Sequence, residues 1–341
     1  YIAWLANNDL TYEKKHELNF GIDAGFLNNR INFTFDIYTR RNYDLIGATN
    51  TMGIGGESTK YGNVAKMKSN GVELSLNTVN IKTKDFTWTT DFIYSHMHNE
   101  VTELNTYNRL YDYISGYGFT MPGYPQRSLF SIPFAGLNNE GLPTFYDPDG
   151  NITVTGIDMQ EYDPERLKFL KYEGPADPTD VGSLGNIFRY KNLTLNLFIT
   201  YSFGNVVRLD PVFSSEYSDL SATPKEFNNR WIKPGDEKFT NIPVIASRQQ
   251  LNNLAYLSRA YQSYNYSTAR VAKGDFIRMK EISLAYEFPK TLTQPLHLSN
   301  LSLKLQATNL FLLYADKKLN GQDPEFFNAG GVATPMPKQF T

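Results

Sequence analysis

The sequence predicts an all-β protein, a section of about nine strands from an antiparallel transmembrane β-barrel, on the strength of three observations. Apolar and polar residues alternate with a period of two along several segments. These segments come in pairs, joined alternately by short turns and by long connections. One face of each pair is apolar and uncharged, which is typical of strands that turn one side to lipid.

The composition excludes several other classes of protein. The 341 residues carry a net charge of −2, which provides no basic surface for a nucleic-acid partner. Cysteine is absent, so disulfides, thiolate metal sites and cysteine nucleophiles are excluded. The mean hydropathy is −0.43, and no run of about 18 apolar residues occurs, which excludes a helical membrane protein.

The first hairpin is predicted from two alternating segments, ELNFGIDAGF at 17–26 and INFTFDIY at 31–38. Asn28-Asn29 between them suits the left-handed positions of a two-residue type I′ turn. Closure there pairs Phe26 with Ile31 and brings both apolar rows onto one face.

A second hairpin is predicted at 71–96, with its turn in KTKD at 82–85. The alternation of apolar and polar residues in this hairpin breaks once. Pairing Ile81 with Phe86 keeps the apolar rows together only if one residue near positions 77–78 is bulged out, so we expect a bulge there.

A third hairpin turns at Lys191-Asn192, and a fourth, looser one joins residues 282–288 to 301–307 through a connection that contains two prolines. A ninth strand is expected to begin within 335–341.

The connections between hairpins are long, at about residues 39–70, 97–184, 205–275 and 309–335. Structureless connections of this length are uncommon in compact soluble domains. Outer-membrane barrels have short periplasmic turns and long extracellular loops, which fits the alternation. A soluble β-sandwich or solenoid would also alternate, and the pattern alone leaves that alternative open.

Several segments are distinctive in their residue identities as well as in their apolar–polar pattern. They are, in chain order, DLTYEKKHELNFGIDAGFLNNRINFTFDIYTRRNYDLI, GNVAKMKSNGVELSLN, DFTWTTDFIYSHMHNEVTEL, GSLGNIFRYKNLTLNLFITYSFGN, RWIKPGD, GDFIRMKEISLAYEFPK, LQATNLFLLY and GQDPEF. They resemble the SusC/RagA family of TonB-dependent outer-membrane transporters, and the resemblance extends over nearly the whole chain.

The resemblance implies that residues 1–341 are the carboxy-terminal part of a barrel of about 22 strands, with the plug domain and the TonB box outside this chain. It implies an outer-membrane location and active import of oligosaccharides or peptides, with TonB and a SusD-like surface lipoprotein as partners. No enzyme activity is expected. The alternatives are a siderophore or vitamin receptor of the same class and a soluble β-rich glycan-binding protein.

Aromatic side chains in the long connections are the candidate ligand contacts, because flat rings stack on sugar faces and are enriched at interfaces. The candidates are Tyr111, Tyr113, Tyr117, Trp231, Tyr261 and Tyr264. Packing within the loops, or against a plug or lid, is the alternative role for each.

No cofactor is expected, and the metal signals are weak. Asp147, Asp149 and Asn151 resemble oxygen ligands of a calcium loop, but Gly150 is misplaced for an EF-hand, which favours a turn. His96 and His98 share one face of a strand without a third ligand nearby in sequence. No catalytic triad is recognisable.

Overall fold

The computed structural model describes residues 7–51, 59–106, 108–116, 118–212, 224–253, 255–325 and 336–341. The strands are β1 (Lys14–Phe26), β2 (Ile31–Asn50), β3 (Thr59–Lys82), β4 (Phe86–Leu104), β5 (Ser128–Ser131), β6 (Phe134–Leu137), β7 (Pro143–Tyr146), β8 (Ile152–Thr153), β9 (Lys171–Pro175), β10 (Asp180–Tyr190), β11 (Leu193–Phe203), β12 (Val206–Arg208), β13 (Val271–Lys273), β14 (Phe276–Glu287), β15 (Ser302–Ala315) and β16 (Gln339–Phe340). The helices are α1 (Leu110–Ile114), α2 (Pro164–Leu167), α3 (Arg248–Asn253), α4 (Tyr256–Asn265) and α5 (Lys290–Thr293). Among the described residues, no helix has the length and apolarity needed to cross a membrane.

Nine of these strands form one sheet in the order β1-β2-β3-β4-β10-β11-β14-β15-β16. Every neighbouring pair is antiparallel. The sheet is an open section of a barrel wall, which confirms the predicted fold class. The seven remaining strands form three small sheets, β5-β9, β6-β7-β8 and β12-β13, within the long connections.

The register of the first hairpin is confirmed, with Phe26 opposite Ile31 and Phe20 opposite Ile37. Its turn differs from the prediction, because it spans four residues, Leu27 to Arg30, rather than two. Leu27, Asn28 and Asn29 all have positive φ angles, of 55°, 56° and 61°. Asparagine tolerates this left-handed conformation better than most residues, so the asparagine pair marks the turn but not its length.

The register predicted for the second hairpin is wrong near its turn, because Ile81 lies opposite Trp88 rather than Phe86. Thr83 explains the shift: its hydroxyl accepts from the backbone N–H of Phe86 at 3.0 Å, which closes a turn at 83–85. A bulge exists, but it lies at Asn80 instead of 77–78.

The connection predicted at 39–70 is mostly strand. β2 and β3 have 20 and 24 residues and stay paired as far as Asn50 and Thr59. A membrane-spanning strand needs about 9–11 residues, so this hairpin continues well past the membrane. The alternation test missed this part because polar side chains lie on both faces of its strands. Some of them pair with a neighbouring strand, as Lys68 of β3 does with Glu100 of β4 at 2.9 Å.

The two faces of the sheet differ in charge as predicted. Leu18 and Phe20 are 72% and 60% exposed on the apolar face, as expected for side chains that meet lipid. The registers place the carboxylates on the opposite face, where Asp36 lies beside Glu73. In an outer-membrane barrel the apolar face is the outer surface and the charged face is the lumen side.

Gly182 is required by close packing within the wall. A Cβ there would overlap the carbonyl oxygen of Ile93 and the hydroxyl of Tyr201, whose ring lies over the glycine. We expect Gly182→Ala to destabilise the protein by about 1–3 kcal/mol, since backbone atoms would have to move. Gly62→Ala is the matched control, because its Cβ would meet only ordinary contacts at 3.6 Å or more. Urea unfolding of the complete protein in lipid measures both, and equal midpoints would contradict this packing.

Candidate ligand-binding site

The described residues of the two longest connections, 105–179 and 204–275, fold together into one loop module at the end of the sheet opposite the short turns. Its apolar core contains Leu110 of α1, Phe145 of β7 and Ala260 of α4, all fully buried. Backbone hydrogen bonds at 3.0 Å join Ile132 to Tyr266 and to Thr268. The loop module is therefore a packed structure with fixed surfaces.

Three of the predicted aromatic contacts are buried inside this module. Trp231, Tyr261 and Tyr264 are 8%, 2% and 1% exposed. The Tyr261 hydroxyl donates to the Val244 carbonyl at 2.5 Å, and the Trp231 indole donates to Glu237 at 3.0 Å. All three pack inside the module and hold the loops together, which is the alternative role named for them; ligand contact by these residues stays a prediction.

The other three candidates belong to the segment around α1. Tyr111 packs edge-on against Tyr266, with ring centroids 5.9 Å apart. Tyr113 lines a cavity. Tyr117 lies outside the described residues. Among the six predicted positions, Tyr113 thus lies at the wall of a cavity.

The apolar cavity has a volume of about 310 Å³ and opens to solvent. Its lining consists of Tyr113, Met121, Tyr124, Phe130, Leu167, Lys168 and Leu170. Phe130 contacts both Tyr113 and Tyr124 through edge-on ring packing, so the aromatic wall is preorganised. Ligand pockets of about 300–1,000 Å³ with mostly apolar walls and a few polar groups are typical of small-molecule sites.

A second cavity, the polar cavity, has a volume of about 220 Å³. Its charged lining residues are Asp147, Asp158, Glu161, Arg166 and Arg259. The Arg166 Nε lies 2.8 Å from a Glu161 oxygen. Hydrogen bonds from backbone N–H groups lower the pKa of the Glu161 carboxyl, and the largest contribution comes from the N–H of Asp163. The carboxyl therefore stays ionised near neutral pH. Carboxylates and guanidinium groups together suit a ligand with both donors and acceptors.

The same two short helices contribute to both cavities. Leu110 of α1 and Arg166 of α2 line the polar cavity, whereas Tyr113 and Leu167 of the same helices line the apolar one. An amphiphilic ligand could therefore use both. Sequence reasoning missed Leu167 and Leu170, because an isolated pair of leucines in a loop otherwise rich in polar residues gives no periodic signal.

Asp147, Asp149 and Asn151, for which the sequence favoured a turn over a calcium loop, do form a turn. One oxygen of Asp147 accepts from the backbone N–H groups of Asp149 and Asn151 at 2.9 and 2.8 Å, which uses the carboxylate as a cap. Within the described ranges, no group of three or more His, Asp or Glu side chains is arranged to hold a metal ion. His96 instead pairs with Asp180 at 2.8 Å.

Buried charges anchor the floor of the module. Arg270, 2% exposed, pairs with Glu226 at 2.6 Å. Arg208 donates to the Phe130 carbonyl at 2.5 Å, which ties the apolar cavity wall to β12. Burial lowers the pKa of the Arg208 guanidinium to about 10. These buried groups hold segments of the loop module together and do not line the apolar or the polar cavity.

Two tyrosines, the buried Tyr264 and the partly buried Tyr266, make the module sensitive to alkali. Burial raises the pKa of Tyr264 and of Tyr266 to about 12, against an unfolded value near 10. Between these values only the unfolded chain loses the protons, so stability falls as pH rises from about 10 to 12. We expect Tyr264→Phe to lose less stability across this interval, measured by urea unfolding at each pH. An identical pH profile for the wild type and this variant would contradict the assignment.

Comparisons with known proteins were made for sequence and fold. No family model matches the chain. TonB-dependent receptor SusC of Bacteroides thetaiotaomicron is 28% identical over 352 residues, covering 98% of this chain and 32% of that protein. TonB-dependent receptor P39 of Formosa agariphila is 26% identical over 373 residues, covering 97% of this chain and 34% of that protein.

Among solved structures, the RagAB peptide transporter matches 100% of this chain and 36% of its own, with a TM-score of 0.75 and 24% identity. The chain thus spans about a third of the length of the proteins that it matches. The matched proteins reside in the outer membrane as β-barrels, in agreement with the apolar outer face described above. The predicted resemblance to SusC-type TonB-dependent receptors is confirmed, and this chain folds as a nine-stranded section of an outer-membrane β-barrel.

Proposed function

We propose that the complete protein imports a nutrient actively across the outer membrane, with this chain providing part of the barrel wall and the ligand-binding loops. One observation carries the proposal: the two longest connections lie at the same end of the wall, and their described residues fold into a module with two cavities, of about 310 and 220 Å³. Binding loops on a rigid scaffold are a common arrangement for recognition. No covalent chemistry is required for this role.

We propose TonB as the energy source and a SusD-like lipoprotein as a lid over the loop module. Both follow from the similarity to SusC and from the RagAB complex. In this mechanism, ligand binds between lid and loops, and work transmitted by TonB opens the lumen beneath it. Rigid cavities suit this sequence, because preorganised sites lose less conformational entropy when ligand binds.

The ligand is an oligosaccharide or a peptide, and the cavities favour the second class. Six of the seven residues that line the apolar cavity are aromatic, aliphatic or methionine, which suits an apolar side chain better than a hydroxylated ring. Carboxylates and arginines in the polar cavity suit charged amino and carboxyl groups. The solved neighbour RagAB is itself described as a peptide transporter.

Growth of a strain lacking the gene tests the function and separates the alternatives. Impaired growth on peptides, with normal growth on oligosaccharides and under iron limitation, is the expected result. Impaired growth on oligosaccharides alone would reverse the ligand preference. A defect only under iron limitation, or only without an added vitamin, would favour the siderophore or vitamin alternative.

Purification of the complete protein tests the partner. The protein extracted with detergent from the outer membrane is expected to retain a surface lipoprotein in equal amount. A soluble protein would contradict the proposal and favour a glycan-binding module, and an outer-membrane protein without a lipoprotein would remove the lid from the mechanism.

A further inference from the structure

Residues 288–301, which connect β14 to β15 at the short-turn end of the sheet, expose an unusual amount of apolar surface. Leu292, Leu296 and Leu298 are 57%, 64% and 42% exposed. The turns at 83–85 and 191–192 at this end carry polar and charged side chains, and the turn at 27–30 has a single exposed leucine, Leu27. Exposed leucines grouped in one short segment mark a contact surface rather than a solvated turn.

The backbone of this connection is fixed. α5 continues into a 3-10 turn at Gln294–Leu296, after which His297 adopts a left-handed φ of 54°. The N–H groups of Leu298 and His297 bond to the carbonyls of Thr293 and Gln294 at 3.1 and 3.0 Å. This is the bonding pattern of a Schellman motif, which often brings the residue after the left-handed position against the preceding turn.

The motif gathers the three leucines on one side. Leu292 and Leu296 are four residues apart along the helical turn and so share a face. Leu298 follows the left-handed residue, in the position that commonly packs back towards position 292. Thr293, between them in sequence, is 1% exposed and faces the protein. The leucines therefore form an outward cluster, which we call the leucine turn.

The leucine turn continues the lipid-facing surface of the barrel. Phe288 donates to the Leu301 carbonyl at 2.9 Å, which extends the β14–β15 ladder by one pair beyond the strands. Leu301, Leu303 and Leu305 follow on the apolar face, all exposed. Only the exposed Ser299 and Asn300 stand between Leu298 and Leu301 in sequence. The leucine turn is therefore adjacent to the apolar strand face, and the lipid that covers that face is the natural occupant of the leucine turn.

The flanking residues suit the boundary between hydrocarbon and water. Tyr286 and Phe288 pack edge-on at 5.1 Å at the base of the connection, and aromatic rings are enriched at this depth in outer-membrane barrels. Lys290, exposed at the start of α5, can keep its amine at the level of anionic headgroups while its aliphatic part lies over apolar surface.

We propose that the leucine turn inserts into the membrane surface at the short-turn end of the barrel and anchors this part of the wall in the lipid leaflet. The segment acts as a short interfacial amphipathic element, whose apolar face is buried about 5–10 Å into the headgroup and acyl boundary. The proposal rests on the lipid-facing barrel and does not depend on the imported ligand.

Spin labels on the complete protein in phospholipid vesicles test the proposal. Leu296→Cys and Leu298→Cys each receive a nitroxide in a background without other cysteines, and this chain itself contains none. Leu303→Cys on the lipid-facing strand and Lys84→Cys in a polar turn at the same end are the matched references. The accessibility of each label to oxygen, which dissolves in lipid, is compared with that to a water-soluble nickel chelate.

The labels at 296 and 298 are expected to resemble the label at 303, with high oxygen and low nickel accessibility. Two results would overturn the proposal. Nickel accessibility equal to that at position 84 would place the leucine turn in water, and labels that neither reagent reaches would show that another protein segment covers it. Because a single cysteine replaces one exposed leucine, each variant is expected to assemble normally.

Discussion

Replacing Arg278 by alanine is expected to destabilise the complete protein by about 3–5 kcal/mol, because it leaves the buried carboxylate of Asp323 without its ion-pair partner. This is the largest effect expected of any single substitution. Arg278 and Asp323 are each 3% exposed and form an ion pair, with Glu325 beside them at 3.1 Å from the Arg278 Nε. Arg278 belongs to β14, and Asp323 to the connection after β15. The pair therefore fastens that connection to the wall.

The experiment on this pair needs two comparisons. Lys68→Ala removes an exposed ion pair with Glu100 and is expected to change stability little. The double variant Arg278→Met with Asp323→Leu removes both charges, and it should recover much of the loss, since apolar replacements of buried pairs are often well tolerated. Urea unfolding in lipid vesicles supplies the midpoints. An Arg278→Ala variant as stable as Lys68→Ala would contradict the role of the pair.

Blocking the apolar cavity is expected to weaken ligand binding at least about tenfold, or about 1.4 kcal/mol. Leu170→Arg would place a charged side chain in the cavity, and Tyr113→Ala would remove one aromatic wall. Both changes alter the apolar cavity, where an apolar part of the ligand would be buried away from water. Affinity is measured with the purified complete protein and the ligand found in the growth tests.

Tyr162→Ala is the matched control for the cavity variants, because Tyr162 is an exposed aromatic of the same connection that does not line the cavity. It should bind ligand like the wild type. Circular dichroism and outer-membrane assembly separate loss of binding from loss of fold. Normal affinity in both cavity variants, with the fold intact, would mean that the cavity is a packing defect without a role in recognition.

Local patterns predicted the barrel wall well. Period-2 alternation located the hairpins at 17–38 and at about 185–203, because each strand there has one face in lipid and one in water. The same test failed at 39–70, where both faces are polar once the strands leave the membrane. It also misplaced the bulge of the second hairpin, since the Thr83 turn that sets the register uses a side-chain hydrogen bond.

The candidate site was predicted less well, because its geometry depends on contacts distant in sequence. Tyr264 looked like an exposed loop aromatic, yet α4 packs it against Phe134 from another connection, with ring centroids 5.6 Å apart. The Arg278–Asp323 pair joins residues 45 positions apart. Composition identified the aromatic character of the site through Tyr113, but could not distinguish cavity wall from core.

Uptake of a labelled ligand by intact cells tests the central claim most directly. Cells that express the complete protein are supplied with fluorescently labelled peptides, with a strain lacking the gene and cells treated with a protonophore as comparisons. Labelled peptide is expected to accumulate in the periplasm only when both the gene and the proton gradient are present, and to accumulate less in cells with the Leu170→Arg variant. Equal accumulation in all three cases, for peptides and for labelled oligosaccharides alike, would contradict an active importer with its ligand site in these loops.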